Sequence, residues 1–398
     1  GVLLLALLSC TENPELPTLY DPSVGDGPVP TITSMTPATE AFAGIDTVTI
    51  TGTNFSTVAS ENIVYFNSTK ASIYSSTATS IMFKAPNLVL DSIQVRVARY
   101  KTERMSNGVT YKLNNAYALS PKLATGEQVW AAATDAAGNL YASMTSGNVG
   151  IGVKKFPADG SARVDYALTP GVTKLTGMKM GPLGELYAAR NLTVILKIPA
   201  GGGSSTNWLV GGGLGKVFDL DFDVNKNIWA GGDNANVYRV RPDKNVKAFA
   251  FDANVRSVRV YDGYAYFAAK TRPDGQERVM RRRIVSADSL DVTEEYFNFS
   301  TSPLYASGQS VYAITFSSDG FMYLGTDAPN PIIVVRPDRS PFQLYPSVMS
   351  PVHHSFAWGN GTYLYGLRGA GANGVVSTST AIMKINTLKQ SAPYYGRQ

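Results

Sequence analysis

The sequence predicts an all-β chain: a small β-sandwich followed by a six-bladed β-propeller. Three observations carry that expectation. Residues 30–112 break into short alternating apolar runs separated by turn residues. Six aromatic residues after 116 recur at intervals of 37 to 57 positions, about 45 on average, which is the length of one four-stranded blade. Apolar spacing of the helical kind is absent from 30–112.

Composition narrows the class further. The 398 residues carry a net charge of +5, and 44% are hydrophobic, enough for a sizeable core. A single cysteine excludes a disulfide scaffold and a thiolate zinc site, and two histidines exclude a multi-histidine metal centre. No cofactor is expected. Basic residues are spread along the chain, with one dense stretch at Arg278, Arg281, Arg282 and Arg283. They are not interleaved with aromatics as in a nucleic-acid-binding module, so no nucleic-acid partner is expected.

The first ten residues read GVLLLALLSC. The apolar run is far shorter than the roughly 20 residues a membrane-spanning helix needs. It reads as the remnant of a signal peptide over 1–9. Its end, LLSC, resembles a bacterial lipobox, which implies cleavage before Cys10 and lipidation of that cysteine. Residues 10–29 are rich in Pro, Gly and acid and read as a flexible tether. Such acidic tethers are similar to those of Bacteroidota lipoproteins, which implies the outer membrane, anchored by lipid and facing the cell exterior.

In 30–112, the runs VTITG (48–52), IVYFN (63–67), IMFKAP (81–86) and IQVRVA (93–98) read as strands of a sandwich. Pro30–Pro37 and Val48-Thr-Ile-Thr-Gly-Thr-Asn-Phe55 resemble the opening and core motifs of the immunoglobulin-like IPT/TIG family, with Ala85-Pro86 following. Gly52 and Asn54 suit the tight turn of that motif. The resemblance implies a spacer or docking module.

From 116 to 398 each repeat is an apolar strand, a turn, a strand with an aromatic, a loop and a third strand. The anchoring aromatics are Tyr141, Tyr187, Trp229, Tyr266, Tyr323 and Tyr365. Segments such as DAAGNLYAS and SSDGFMYLG resemble NHL-type propeller repeats. The pairing with an IPT/TIG domain resembles a class of Bacteroidota lipoproteins.

Side chains alternate along a strand, so the first strand of each repeat splits into two columns. One is bulky, with Met178, Phe222 and Trp358 among its members, and is expected to pack between blades. The other is expected to face the axis. It is mostly small, except for a charged arc of Lys179, Asp221 and Arg259, with Asp219 one level away. Asp221 bridging the two cations is one reading; a polar ligand site in the tunnel mouth is the other. Asp219, Asp221 and Asp223 suggest hard-cation ligation, but the neighbouring cations argue against a metal, and none is expected.

His353 is the polar member of its ring. Trp130, Phe218 and Tyr312 start their strands near one end, as stacking platforms for a sugar or as core. Arg190, Asn191, Asp233, Asn234, Arg272, Asp327 and Arg368 lie on loops after second strands and offer further polar contacts.

Gly369–Gly374 spells GxGxxG but runs into β-branched sequence, without the helix a phosphate site needs. Three functions remain open. The first is a non-catalytic binding module that captures a polysaccharide or oligosaccharide, or assists a TonB-dependent transporter complex at the outer membrane. The second is an assembly subunit of an outer-membrane complex. The third is a propeller hydrolase or lyase, whose chemistry Asp219, Asp221, Lys179, Arg259 and His353 would supply. No catalytic residue is assigned.

Overall fold

The computed structural model describes residues 27–349, 354–369 and 380–397. Cys10, the tether as far as residue 26 and His353 lie outside the described residues, as does the GxGxxG run beyond Gly369; the tether's last residues are held on the sandwich, Gly27 N–H donating to the Lys101 carbonyl at 2.8 Å. The chain divides between Asn115 and Ala116 into two compact units. Both are built from strands. Among the described residues the helical pieces are the single turns Ala59–Glu61 and Tyr395–Arg397.

The first unit is a sandwich. One sheet orders Thr31–Thr36, Thr47–Thr53, Ser80–Lys84 and Ser72–Ser76. The other orders Glu40–Phe42, Val109–Asn114, Leu90–Arg99, Asn62–Phe66 and Thr69–Lys70. Alternation sets their faces. Val48 and Ile50 point inward between outward threonines, and Ile93, Val95 and Val97 point inward between Gln94 and Arg96. Phe66 packs edge-on against Phe83 and Tyr111 at ring separations of 5.7 and 6.2 Å. Each such side chain, fully buried, stabilises the unit by about 1.5–3 kcal/mol.

Gly52 is required by close approach. A Cβ there would overlap the Thr31 carbonyl oxygen and stand 2.6 Å from the Phe55 ring. Asn54, at φ 65°, takes the left-handed turn that follows.

The second unit is the six-bladed propeller the repeats predicted. Blade one contains Glu127–Thr134, Leu140–Ser146, Val149–Phe156 and Val164–Leu168. Blade two contains Gly177–Met180, Leu186–Ala189, Val194–Ile198 and Thr206–Val210. Blades three and four share the 16-residue strand Val246–Tyr261, outermost in one and innermost in the other. Blade five runs from Val311–Phe316 to Pro341–Gln343.

Blade six closes the ring. Its strands Ser355–Trp358, Tyr363–Arg368 and Ala381–Asn386 are joined by Tyr117–Leu119, which pairs antiparallel with the last of them. The ring is thus completed by the segment that precedes blade one. Residues 391–397 cross the axis.

The bulky column packs between blades: Met178, Phe222, Phe316 and Trp358 are buried, Trp358 edge-on to Tyr323 at 5.0 Å.

Gly52→Ala is expected to destabilise the sandwich by about 1–3 kcal/mol, the range for overpacking a filled site. Urea unfolding of the full chain followed by circular dichroism checks this. A wild-type midpoint would show that the Thr31 backbone yields without cost.

Candidate functional site

In blades one and three the turn after the first strand is locked by the same polar device. In blade one, Asp135 accepts from the Asn139 backbone N–H (2.9 Å), the Asn139 amide (2.7 Å) and the Tyr141 hydroxyl (3.0 Å). In blade three, Asp223 accepts from the Asn227 N–H and amide and from the Trp229 indole N–H at 2.9 Å. Asp223 therefore holds its own turn and does not join Asp219 and Asp221 around a common point.

The axial arc forms two separate pairs. Lys179 Nζ lies 3.2 Å from Asp219 Oδ1, and Arg259 Nη1 lies 2.8 Å from Asp221 Oδ2. The expected single bridge through Asp221 is thus corrected: Asp219 takes the lysine, because it and Lys179 face each other across adjacent blades. Each carboxylate takes further hydrogen bonds. Asp219 Oδ2 accepts from Ser257 Oγ (3.0 Å) and the Val258 N–H (2.9 Å); Asp221 Oδ2 also accepts from the Val260 N–H (2.9 Å). Burial works against the charge on Lys179, but Asp219 and Asp221 outweigh it and raise its pKa. On Arg259 burial is likewise outweighed by Asp221, and its pKa is raised.

Residues 391–397 cap this arc at the turn end of the first strands. Arg259 Nη2 donates to the Pro393 carbonyl at 2.6 Å, and its guanidinium lies 3.7 Å from the Tyr394 ring centre. The Tyr394 hydroxyl is 2.7 Å from Thr315 Oγ1. Arg397 stacks at 4.7 Å from the same ring, and its Nη1 donates to Thr134 Oγ1 and to the Trp358 carbonyl at 2.7 Å. Gly396 passes so close that a Cβ would strike the Met180 carbonyl and the Phe222 ring. Beneath the segment remains a cavity of about 10 Å³, lined by Lys179, Asp221, Tyr394 and Arg397 among others, room for one water.

At the opposite end, the expected platforms are taken up by the chain itself. Trp130 is buried, donates to Thr145 Oγ1 at 3.1 Å and carries Lys174 Nζ 4.2 Å over its ring. Phe218 is buried. Tyr312 is half-buried, with its hydroxyl 3.2 Å from Asp327 and Arg256 at 5.4 Å from its ring. Arg272 pairs with Asp233 and Asp252 at 2.7 and 2.5 Å. Arg190 is half-buried, and Arg368 is buried with its Nε unpartnered. These residues are not gathered into one pocket.

His354 is buried in the blade packing, and its ring nitrogens make no well-formed hydrogen bond among the described residues; the Val129 backbone is the polar group beside it and only partly offsets burial. Burial pushes its pKa down to about 4.

A cleft of about 630 Å³ lies between blades one and two at the turn end. That is within the usual range for a small-ligand site. Tyr141, Lys155, Asp165 and Tyr166 form the blade-one wall; Pro182 and Gly201 lie on blade two; Arg397 lines it as well. Tyr141 and Tyr166 meet edge-on at 4.6 Å, and Lys155 Nζ stands 5.9 Å from the Tyr141 ring centre. Sequence reasoning missed this site. The Asp-x3-Asn-x-aromatic turn was visible at 135–141 and 223–229, but nothing local marks Arg397 as its neighbour.

Residues 30–113 match the IPT/TIG domain family. Over the whole chain the fold is similar to three solved structures from Bacteroides thetaiotaomicron. An auxiliary nutrient binding protein shares 12% identity over 91% of this chain and 99% of its own, with a TM-score of 0.53. A structural genomics protein of unknown function shares 15% over 92% and 99%, at 0.51. A candidate phosphatase shares 11% over 92% and 98%, at 0.58. At these identities the likeness is one of fold. No curated protein matches the sequence.

The buried neutral His354 makes stability depend on pH. Its folded pKa lies below the unfolded value of 6.5, so its contribution is complete above pH 6.5 and is lost as pH falls towards 4. The loss amounts to about 3 kcal/mol. Unfolding free energies measured across that window should fall less steeply in His354→Leu; parallel curves would show that the histidine is not held neutral.

Proposed function

We propose that this protein is a non-catalytic binding module of the cell envelope. In this reading it is lipid-anchored through Cys10 to the outer membrane, faces the exterior, and captures a polysaccharide or oligosaccharide, for use by a TonB-dependent transporter complex. The observation that carries the binding role is the state of the axis. Among the described residues, Lys179, Asp219, Asp221 and Arg259 are spent on one another and lie under residues 391–397. A hydrolase or lyase working on the axis would need those same groups exposed to substrate.

The fold neighbour named as an auxiliary nutrient binding protein supports the same reading. So does the lipobox-like LLSC before a Pro-, Gly- and acid-rich tether, which suits a protein held near a membrane.

Two measurements test this. The full chain carrying Cys10→Ser, run through native gels that contain a panel of polysaccharides, is expected to be retarded by at least one. Free migration in every gel would remove the glycan from the proposal. In cells producing the complete precursor and fed an alkyne-tagged palmitate, the wild-type protein is expected to take up label and Cys10→Ser to take up none. Equal labelling of both would remove the anchor.

A further inference from the structure

The cleft between blades one and two has an uneven supply of hydrogen-bonding groups. Its carboxylates are committed. Asp135 accepts from Asn139 and Tyr141, and the exposed Asp165 spends Oδ1 on Lys154 Nζ at 2.6 Å. Its cations are not. The Lys155 ammonium has no hydrogen bond or ion pair among the described residues; it stands over the Tyr141 ring and acts on the Asp159 carboxylate at longer range. Arg397 is anchored through Nη1 alone, to Thr134 and the Trp358 carbonyl. Among the described residues its Nε and Nη2 form no hydrogen bond, while Asp221 and Asp135 act on the guanidinium from farther off; the Nε–Nη2 edge is one that can receive a carboxylate in bidentate fashion.

The opposite wall explains why there is space. Blade two presents Gly181, Pro182, Gly184, Ala200 and Gly201. A Cβ added at Gly201 would meet nothing within 4 Å. In blade three the corresponding turn carries Lys226, which donates to the Tyr395 carbonyl at 2.6 Å. Tyr166 is half-buried, leaving part of its ring facing the opening, and is steadied edge-on by Tyr141. An aromatic surface beside unspent cationic donors suits a ring with an apolar face and a carboxylate at its rim.

We propose that this cleft is the ligand site and that it takes an acidic saccharide, a uronate-type sugar. The ring packs on Tyr166, and its carboxylate is received by Arg397 and Lys155. This inference rests on the glycan-binding reading above and adds its place and its charge.

The test uses the full chain with Cys10→Ser in native affinity gels containing polygalacturonate, alginate or hyaluronate, each beside its carboxyl-reduced neutral form. Neutral polysaccharides run in parallel. Retardation by at least one uronate polymer is expected, with at least tenfold weaker binding to the reduced form. Lys155→Gln is expected to weaken binding about fivefold and Tyr166→Ala about tenfold, with melting temperatures near wild type showing that both variants fold.

Retardation by neutral glycans alone would overturn the acidic preference and leave the binding role intact. Retardation by a uronate polymer that persists unchanged in both variants would overturn the cleft as the site. No retardation by any glycan would overturn this inference together with the reading it rests on.

Discussion

The axis of the propeller is governed by one constraint: charge taken out of water must be answered on the spot. Arg259 is fully buried. A buried cation without a partner would cost several kcal/mol, and removing one member of a buried pair typically costs about 3–5 kcal/mol. Asp221 supplies the opposite charge, and the carbonyls of Val260 and Pro393 take two further hydrogen bonds. The Pro393 carbonyl belongs to a segment more than 130 residues away in sequence. Neutralising Arg259 therefore also fixes the course of 391–397, and that course closes one mouth of the ring.

The same segment links closure to the cleft. Tyr394 lies between the guanidinium groups of Arg259 and Arg397, at 3.7 and 4.7 Å from their carbons. Held there, Arg397 satisfies the Thr134 hydroxyl and the Trp358 carbonyl with one nitrogen and leaves its other edge free. The polar arc at the axis thus acts through packing: it seats the segment that places a cation at the edge of an open cleft.

Much of the fold was legible in the residues. Alternation placed Val48, Ile50, Ile93, Val95 and Val97 in the sandwich core, and the recurring aromatics counted six blades. Both patterns are local, because a strand's faces follow from its own period of two. Gly52-Thr-Asn54 was legible for the same reason: the turn is made by consecutive residues. The axial arc was found by aligning first strands, but its pairing was misassigned. Which of Asp219 and Asp221 meets Lys179 depends on the stagger between neighbouring blades, and the spacing of one strand does not contain that stagger. Trp130, Phe218 and Tyr312 were ambiguous between platform and core; burial of the first two and the Lys174 and Asp327 contacts come from loops of variable length.

The sequence by itself determined the class of architecture, the blade count and the identity of the charged residues facing the axis. These depend on periodicities that each segment carries within itself. The tertiary structure decided which segment completes blade six, where 391–397 runs, and which cations remain unspent. Those outcomes depend on residues from different blades meeting in space: Tyr117–Leu119 with Ala381–Asn386, Pro393 with Arg259, Arg397 with Thr134. Contacts between distant segments are selected by the free energy of the whole ring, and no single repeat encodes them.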